Sequence, residues 1–152
     1  MLHFAQIGLF VSPDLEKMKI LIVEDEEALL FGLQKILQNP EMTVDTARNL
    51  QEAKDLLGQN AYDAVLTDLR LTAALGQEGI EVAQSARELQ KNCKIIMMTA
   101  YSENMLKESA NKLGVDVFLE KPVTPNKIRE ILGSIGSETK VKDAEEVLSV
   151  LK

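Results

Sequence analysis

The stretch Tyr62-Asp63-Ala64-Val65-Leu66-Thr67-Asp68-Leu69-Arg70-Leu71 decides the fold class of this chain. Ala64, Val65 and Leu66 form a consecutive apolar run, which is typical of a strand in a sheet that is covered on both faces. The strand ends on Asp68. Because ligands of open α/β sheets bind outside the carboxyl ends of the strands, we expect the chemistry of the protein to be centred on Asp68.

Further aliphatic runs lie on both sides of this strand, and amphipathic segments separate them. Asn49 is the predicted N-cap of one helix, and Gly58 and Gly114 are predicted to end helices. Strands that alternate with helices form parallel sheets, so we predict a doubly wound, five-stranded parallel α/β domain. The predicted strands are 19–23, 42–46, 62–67, 94–98 and 116–119, and the predicted helices are 26–38, 49–57, 80–90, 102–113 and 124–135.

The apolar positions of these helices indicate which sides face the core. In the first helix the predicted core residues are Leu29, Leu33, Ile36 and Leu37, and in the third helix they are Ile80, Ala83 and Leu89.

Composition bounds the kind of protein that this chain can be. Its 152 residues, 45% apolar and 27% charged, suit one globular domain. The net charge of -7 argues against extended contact with nucleic acid or anionic lipid. Residues 1–11 are apolar but lack a basic leader, and no stretch approaches the roughly 20 apolar residues of a membrane span. We therefore expect a cytoplasmic protein.

The inventory of reactive side chains excludes several kinds of chemistry. Cys93 is the single cysteine, so an internal disulfide or a cysteine-based metal cluster is excluded, and a reducing interior suits it. His3 is the single histidine. A histidine-based metal site or a Ser-His-Asp triad is therefore close to excluded.

The chain divides into three parts. Residues 1–17 fit no periodic element and are predicted to be an N-terminal extension, whereas residues 18–136 form the domain itself. Residues 137–152 form a tail in which apolar residues recur at roughly heptad spacing. The tail would dock on its own domain, continue as a linker, or pair with a second subunit, so a homodimer is one of the alternatives.

Polar residues follow four of the five predicted strands. Glu24 and Asp25 follow the first strand, Asp68 the third, Thr99 the fourth and Lys121 the fifth. Three carboxylates at one edge repel one another unless some protonate or a cation neutralises them, and hard oxygen ligands suit Mg²⁺. A metal beside a carboxylate, a hydroxyl and an ammonium group can handle phosphate. Asp68 is then a candidate nucleophile.

Four segments of the chain, taken together, resemble the receiver domain of bacterial two-component response regulators, from about Lys19 to Ile135. The resemblance implies a flavodoxin-like fold with strand order 2-1-3-4-5. The segments are Ile20-Leu21-Ile22-Val23-Glu24-Asp25-Glu26, Asp63-Ala64-Val65-Leu66-Thr67-Asp68-Leu69, Ile95-Ile96-Met97-Met98-Thr99-Ala100 and Phe118-Leu119-Glu120-Lys121-Pro122.

The resemblance also implies an acceptor and a metal site. Asp68 would accept a phosphoryl group from a phosphohistidine on a sensor histidine kinase or a phosphotransferase. Asp25 and Asp68 would ligate Mg²⁺ together with the backbone carbonyl of Arg70, and Glu24 would act mainly through water. The chain would not be an enzyme beyond its own phosphorylation and slow autodephosphorylation.

A conformational switch is the third implication of the resemblance. Thr99 would bind the phosphoryl group and move toward it, Lys121 would pair with it, and the Lys121–Pro122 peptide would be cis. Phe118 would be the aromatic side chain that reports the shift of Thr99. The face made by the 102–113 helix, the fifth strand and the final helix would then act on a downstream protein, without nucleic-acid contact by this domain.

The chain also departs from the family pattern. The loop of residues 71–79 lacks the proline that the family usually has and looks longer, with Gly76 and Gly79 as breakers. Arg70 and Tyr101 stand two residues past Asp68 and Thr99. We predict that they shield the phosphoryl group from water.

Other functions share part of this residue pattern. A phosphatase of the haloacid dehalogenase type needs a second aspartate where Arg70 stands, and Arg70 cannot act as the general acid. A flavodoxin-like cofactor carrier needs a loop rich in Ser, Thr and Gly where Glu24 and Asp25 stand. A receiver-like scaffold that is never phosphorylated, and the receiver portion of a longer transcriptional regulator, remain as alternatives.

Overall fold

The computed structural model of the protein describes residues 17–69, 78–90, 92–99, 108 and 111–136. These residues contain a parallel five-stranded sheet in the order β2-β1-β3-β4-β5, which confirms the predicted fold class and strand order. The strands are β1 Met18–Val23, β2 Met42–Ala47, β3 Ala64–Asp68, β4 Lys94–Thr99 and β5 Val117–Glu120.

Helices cover both faces of this sheet. At the start of the second of them, the Asn49 side chain accepts a hydrogen bond from the Glu52 amide at 2.9 Å, as its predicted N-cap role requires. The helices are α1 Glu27–Leu37, α2 Leu50–Gln59 and α3 Glu78–Leu89, and residues 125–136 form one more.

The two faces of the sheet bury two separate hydrophobic clusters, because successive strand residues point to opposite sides. This explains the consecutive apolar run in β3, where every residue is buried. One cluster joins Leu21, Val23, Val65, Ile95 and Met97 to Ala53, Leu57, Val82, Ala83 and Ala86 of α2 and α3. The other joins Ile20, Ile22, Leu66, Ile96 and Met98 to Leu30, Leu33, Leu37, Ile128 and Leu132 of α1 and the 125–136 helix.

Two predicted core residues are wrong. Ile36 is 45% exposed, and the buried face of α1 contains Leu30, which is 1% exposed, together with Leu33 and Leu37. Leu89 is 54% exposed and lies beyond Ala86, the last buried residue of α3. The apolar periodicity predicted which side of each helix faces the core, but it did not predict where the buried part of that side ends.

Of the two glycines predicted to end helices, the described residues support one. Gly114 has a φ of 80°, a conformation that glycine adopts without strain, and its amide donates to the Asn111 carbonyl at 3.0 Å. The prediction for Gly58 is wrong, because α2 continues through it to Gln59 and is capped at Asn60.

Other predictions fall outside the described residues. They concern the extension up to residue 16, Arg70 and most of the 71–79 loop, Tyr101, most of the 102–113 helix, and the tail 137–152. The division of the chain into three parts therefore stays a prediction.

Cys93 is a free, buried thiol. Burial raises its pKa to about 12, so it stays protonated and unreactive at neutral pH. In the same described ranges, none of the helices has the length and apolar content that a bilayer crossing requires.

The Gln90 side chain ties the end of α2 to the start of β3. Its amide nitrogen donates to the carbonyls of Leu57 at 2.8 Å and Asn60 at 2.6 Å, and its oxygen accepts from the Tyr62 amide at 3.0 Å. All three partners belong to the backbone, so they cannot rotate to find substitutes. Gln90 is therefore a structural crosslink at the amino-terminal edge of the sheet.

We expect Gln90→Leu to lower the free energy of unfolding by about 2 kcal/mol, because it leaves partly buried backbone groups without their partners. Urea denaturation followed by circular dichroism would measure this loss. The matched control is Gln84→Leu, since Gln84 is exposed on α3 and its side-chain amide donates to the exposed Glu88 at 3.3 Å. Equal stabilities for the two variants would contradict the role of Gln90.

Candidate functional site

Glu24 and Asp68 lie side by side at the carboxyl edge of the sheet. Val23 of β1 is paired with Thr67 of β3, so the residues that follow them, Glu24 and Asp68, lie at the same height at the end of the sheet. The Glu24 amide donates to the Ala47 carbonyl at 3.0 Å, which attaches this residue to the end of β2. Glu24 is 2% exposed and Asp68 is 5% exposed. These two acidic side chains therefore lie in the same buried, poorly solvated site.

The environment of Glu24 raises its pKa from 4.5 to about 7. Burial is the largest cause, and the charge of Asp68 is the next; a hydrogen bond with the Asp25 side chain raises the pKa further. The Glu26 amide and the charge of Lys121 act in the opposite direction. Glu24 therefore interacts with both of the other predicted acids, and Asp25 is the exposed member of the three.

Lys121 reaches Asp68 from the other side. Its ammonium group forms an ion pair and hydrogen bond with Asp68 Oδ2. Its backbone amide donates to the Thr99 carbonyl at 2.8 Å, so the turn after β5 is held against the end of β4. The Lys121–Pro122 peptide is cis, as the resemblance predicts. Asp68, Thr99 and Lys121 thus come together from the ends of three adjacent strands.

Two buried polar atoms at this edge have no hydrogen-bond partner among the described residues. They are Thr99 Oγ1 and Glu24 Oε2. Leaving a buried polar atom without a partner costs about 1–3 kcal/mol, and native proteins seldom accept this cost without a reason. Among the described residues, these two atoms are therefore the ones at this edge that could bind a further group.

The donor atoms at this edge fit a magnesium ion. Mg²⁺ takes one or two protein carboxylates and keeps several waters, and all donors here are hard oxygens. Within the described ranges, no three His, Cys, Asp or Glu side chains form a metal cluster by themselves. Glu24, Asp25 and Asp68 instead form a sparse acidic rim, in which the buried Glu24 Oε2 has no hydrogen-bond partner among the described residues. Arg70 lies outside the described residues.

Gly79 is a site residue whose role sequence reasoning missed. The prediction that Gly79 is a loop breaker is wrong, because Gly79 lies in the first turn of α3. A Cβ atom on Gly79 would stand 2.1 Å from the Asp68 carbonyl oxygen and 2.6 Å from that of Leu69. Its amide donates to the Leu69 carbonyl at 3.2 Å. Only glycine allows the start of α3 to touch the backbone of Asp68.

Phe118, the predicted switch residue, is partly buried and packs against the cluster between the sheet, α2 and α3. It is paired with Met97 in the register between β4 and β5. This is the packing of an ordinary core aromatic, and its role in switching stays a prediction.

Comparison with known proteins identifies the class. The sequence profile of the family described as "Response regulator receiver domain" matches residues 20–133. The chain belongs to this family, and it is a receiver domain of a response regulator in two-component signalling.

Curated relatives agree with this class. The chain is 31% identical over 120 residues to the response regulator protein PilR of Pseudomonas aeruginosa, covering 79% of this chain and 26% of PilR. It is 34% identical over 110 residues to the transcriptional regulatory protein SrrA of Staphylococcus aureus, covering 72% of this chain and 44% of SrrA. The chain thus spans less than half the length of these relatives.

Solved structures share the fold. A CheY-like receiver domain protein from Methanospirillum hungatei is 26% identical with a TM-score of 0.75, covering 83% of this chain and 98% of the other. A response regulator from Burkholderia pseudomallei, described with a phosphorylated aspartic acid, calcium ion and citrate, is also 26% identical. Its TM-score is 0.69, with coverage of 86% and 75%.

Proposed function

We propose that Asp68 accepts a phosphoryl group from a phosphohistidine of a sensor histidine kinase or a phosphotransferase, with Mg²⁺ as the cofactor. The observation that carries this proposal is the convergence of Asp68, Lys121 and Thr99 at one strand-end edge. Lys121 is ion-paired with the buried Asp68, and the Thr99 hydroxyl is buried without a partner among the described residues. The phosphorylated aspartic acid of the Burkholderia structure supports it further.

The reaction is a transfer between two protein side chains. A carboxylate oxygen of Asp68 attacks the phosphorus atom, the P–O bond forms as the P–N bond breaks, and the imidazole leaves with the bonding electron pair. When bound, Mg²⁺ supplies positive charge that offsets the charge of the phosphoryl oxygens and the acidic rim. Glu24, Asp25 and Asp68, with the carbonyl of Arg70, would hold it. The Lys121 ammonium group orients the Asp68 carboxylate before attack.

Phosphorylation would then change the positions of Thr99 and Lys121. An aspartyl phosphate adds about two negative charges and several acceptor oxygens at this edge. The Thr99 hydroxyl gains its missing partner by donating to one of them, and Lys121 exchanges the carboxylate for a phosphoryl oxygen. Because these two residues follow adjacent strands, both shifts reach β5, Phe118 and the 125–136 helix.

The chain acts as a switch and not as a turnover catalyst. We propose that its output is contact between the β5 face and a downstream protein, since the net charge of -7 disfavours nucleic acid. Homodimer formation after phosphorylation is the alternative output. Size-exclusion chromatography with and without phosphodonor would distinguish these outputs.

The proposed function is tested by incubating the protein with Mg²⁺ and acetyl phosphate and measuring its intact mass. We expect the mass of one phosphoryl group to appear on Asp68. Chelation of Mg²⁺ should slow the reaction at least about 100-fold, because metal stabilisation of a transferring phosphoryl group is worth several kcal/mol.

Two aspartate variants make this test specific. Asp68→Asn should gain no mass, whereas Asp55→Asn should react as the wild type does, because Asp55 is an exposed carboxylate on α2. If the wild type gains no mass, the chain is a receiver-like scaffold and the proposal is wrong. If Asp68→Asn still gains mass, another residue is the acceptor.

A further inference from the structure

Arg48 links the starts of two helices at the edge where the acidic rim lies. It follows β2 directly, and its guanidinium donates to Glu27 in the first turn of α1 at 3.0 Å. The same group donates to Glu52 of α2 at 2.9 Å and 3.2 Å, and the Arg48 amide donates to Glu52 at 2.8 Å. One side chain therefore bridges α1 and α2.

This bridge holds one end of the turn that carries the acids. The turn between β1 and α1 begins at Glu24, whose amide is bound to the Ala47 carbonyl at 3.0 Å, and reaches α1 at Glu27. Residues 47 and 48 thus hold both ends of the turn, with Asp25 and Glu26 between them. Glu26, the N-cap of α1, makes no side-chain capping bond, and within the turn its amide donates to the Glu24 side chain at 3.2 Å.

We propose that Arg48 is a positioning residue for the divalent cation of this receiver, acting through Glu27 to hold the β1–α1 turn so that Glu24 stays beside Asp68 and Asp25 stays beside Glu24. This inference rests on the Mg²⁺ site of the proposed function. It goes beyond that function because Arg48 need not touch the cation or the phosphoryl group.

The charge of Arg48 and its position predict opposite effects on Mg²⁺ affinity when this side chain is removed. By charge alone, a cationic side chain near the acidic rim repels Mg²⁺, so its removal should tighten binding. By position, its removal frees the turn and should weaken binding, as the loss of outer-shell partners does in other metal sites. The sign of the change therefore separates the two explanations.

The Arg48→Lys variant distinguishes the charge explanation from the position explanation in a second way. Arg48→Lys keeps the charge but replaces a planar fork, which donates in several directions, with a single ammonium group. An ammonium group cannot reproduce the paired contacts to Glu27 and Glu52. Charge alone therefore predicts no change in Mg²⁺ affinity for this variant, and position predicts a loss.

The test is a Mg²⁺ titration of the unphosphorylated protein at constant ionic strength, followed by backbone amide shifts in two-dimensional NMR. We expect Arg48→Lys and Arg48→Gln to raise the dissociation constant about threefold to tenfold, between the small effect of an exposed ion pair and the larger effect of an outer-shell partner. The matched control is Arg129→Lys, since Arg129 donates to the Ile36 carbonyl at the far end of α1, at 2.9 Å. This control should keep the wild-type affinity.

Several outcomes would overturn the inference. Arg48→Lys with wild-type affinity, or Arg48→Gln with tighter binding, leaves Arg48 with a charge effect only. An equal loss in Arg129→Lys would mean that any disturbance of α1 weakens the site. A wild type that binds no Mg²⁺ overturns it together with the cofactor of the proposed function. A wild type that binds Mg²⁺ but takes no phosphoryl group overturns the acceptor role of Asp68 and leaves the inference standing.

Discussion

Gly79→Ala should lower the free energy of unfolding by about 3 kcal/mol, because the new methyl group collides with the backbone of Asp68 and Leu69. Its Cβ would stand 2.1 Å from the Asp68 carbonyl oxygen and 2.7 Å from the Leu69 Cα. Neither atom can swing aside as a flexible side chain would. The start of α3 and the end of β3 must therefore separate, which displaces Asp68, the proposed acceptor. We expect phosphorylation by acetyl phosphate to slow together with the loss of stability.

The matched control for this variant is Gly32→Ala in the middle of α1. A Cβ on Gly32 would meet nothing within 4 Å. Replacing a helical glycine by alanine where space is open should stabilise the protein by about 0.5–1 kcal/mol. Urea denaturation of both variants measures the contrast. If Gly79→Ala proves as stable as Gly32→Ala, the close contact between α3 and β3 is not a constraint.

The second large effect is a pH dependence of stability that arises from Glu24. Its pKa is raised from 4.5 to about 7, chiefly by burial and then by Asp68, so the folded state holds this proton more tightly than the unfolded state does. The resulting stabilisation is complete below pH 4.5 and is lost as the pH rises toward 7. For this one group the loss amounts to at most about 3 kcal/mol.

Glu24→Gln provides the control for the pH dependence. Denaturation of the metal-free protein at several pH values between 5 and 8 should show a decline for the wild type and a flatter profile for this variant. Saturating Mg²⁺ should remove the wild-type decline, because the cation favours the ionised carboxylates. An identical decline in both proteins would assign the effect to other groups.

Much of the candidate site was predictable from sequence because its residues stand at strand ends. The apolar run before Asp68 identifies a strand buried on both faces, and parallel strands bring their carboxyl ends to one edge. Thr99 and Lys121 follow two other strands, so their convergence with Asp68 could be expected before any coordinates. The ion pair between Lys121 and Asp68 agrees with that expectation.

Other features depend on how distant segments pack. Glu24 and Asp25 are neighbours in the chain and look equivalent in sequence, yet Glu24 is buried and Asp25 is exposed. Ile36 and Leu89 look like core residues from their spacing, but both lie outside the buried part of their helices and are exposed. Local periodicity describes one helix at a time, whereas exposure depends on what the rest of the chain places beside it.

The order of apolar and polar residues along this chain determined the parallel sheet and the edge at which its acidic residues meet Thr99 and Lys121. Only the tertiary structure decided that Glu24 shares a buried place with Asp68, that Gly79 must have no side chain, and that Arg48 joins α1 to α2. The physical reason is that strand periodicity is a local property of the sequence. Burial, steric exclusion and bridging contacts instead arise between residues that are far apart in the chain and become neighbours only on folding.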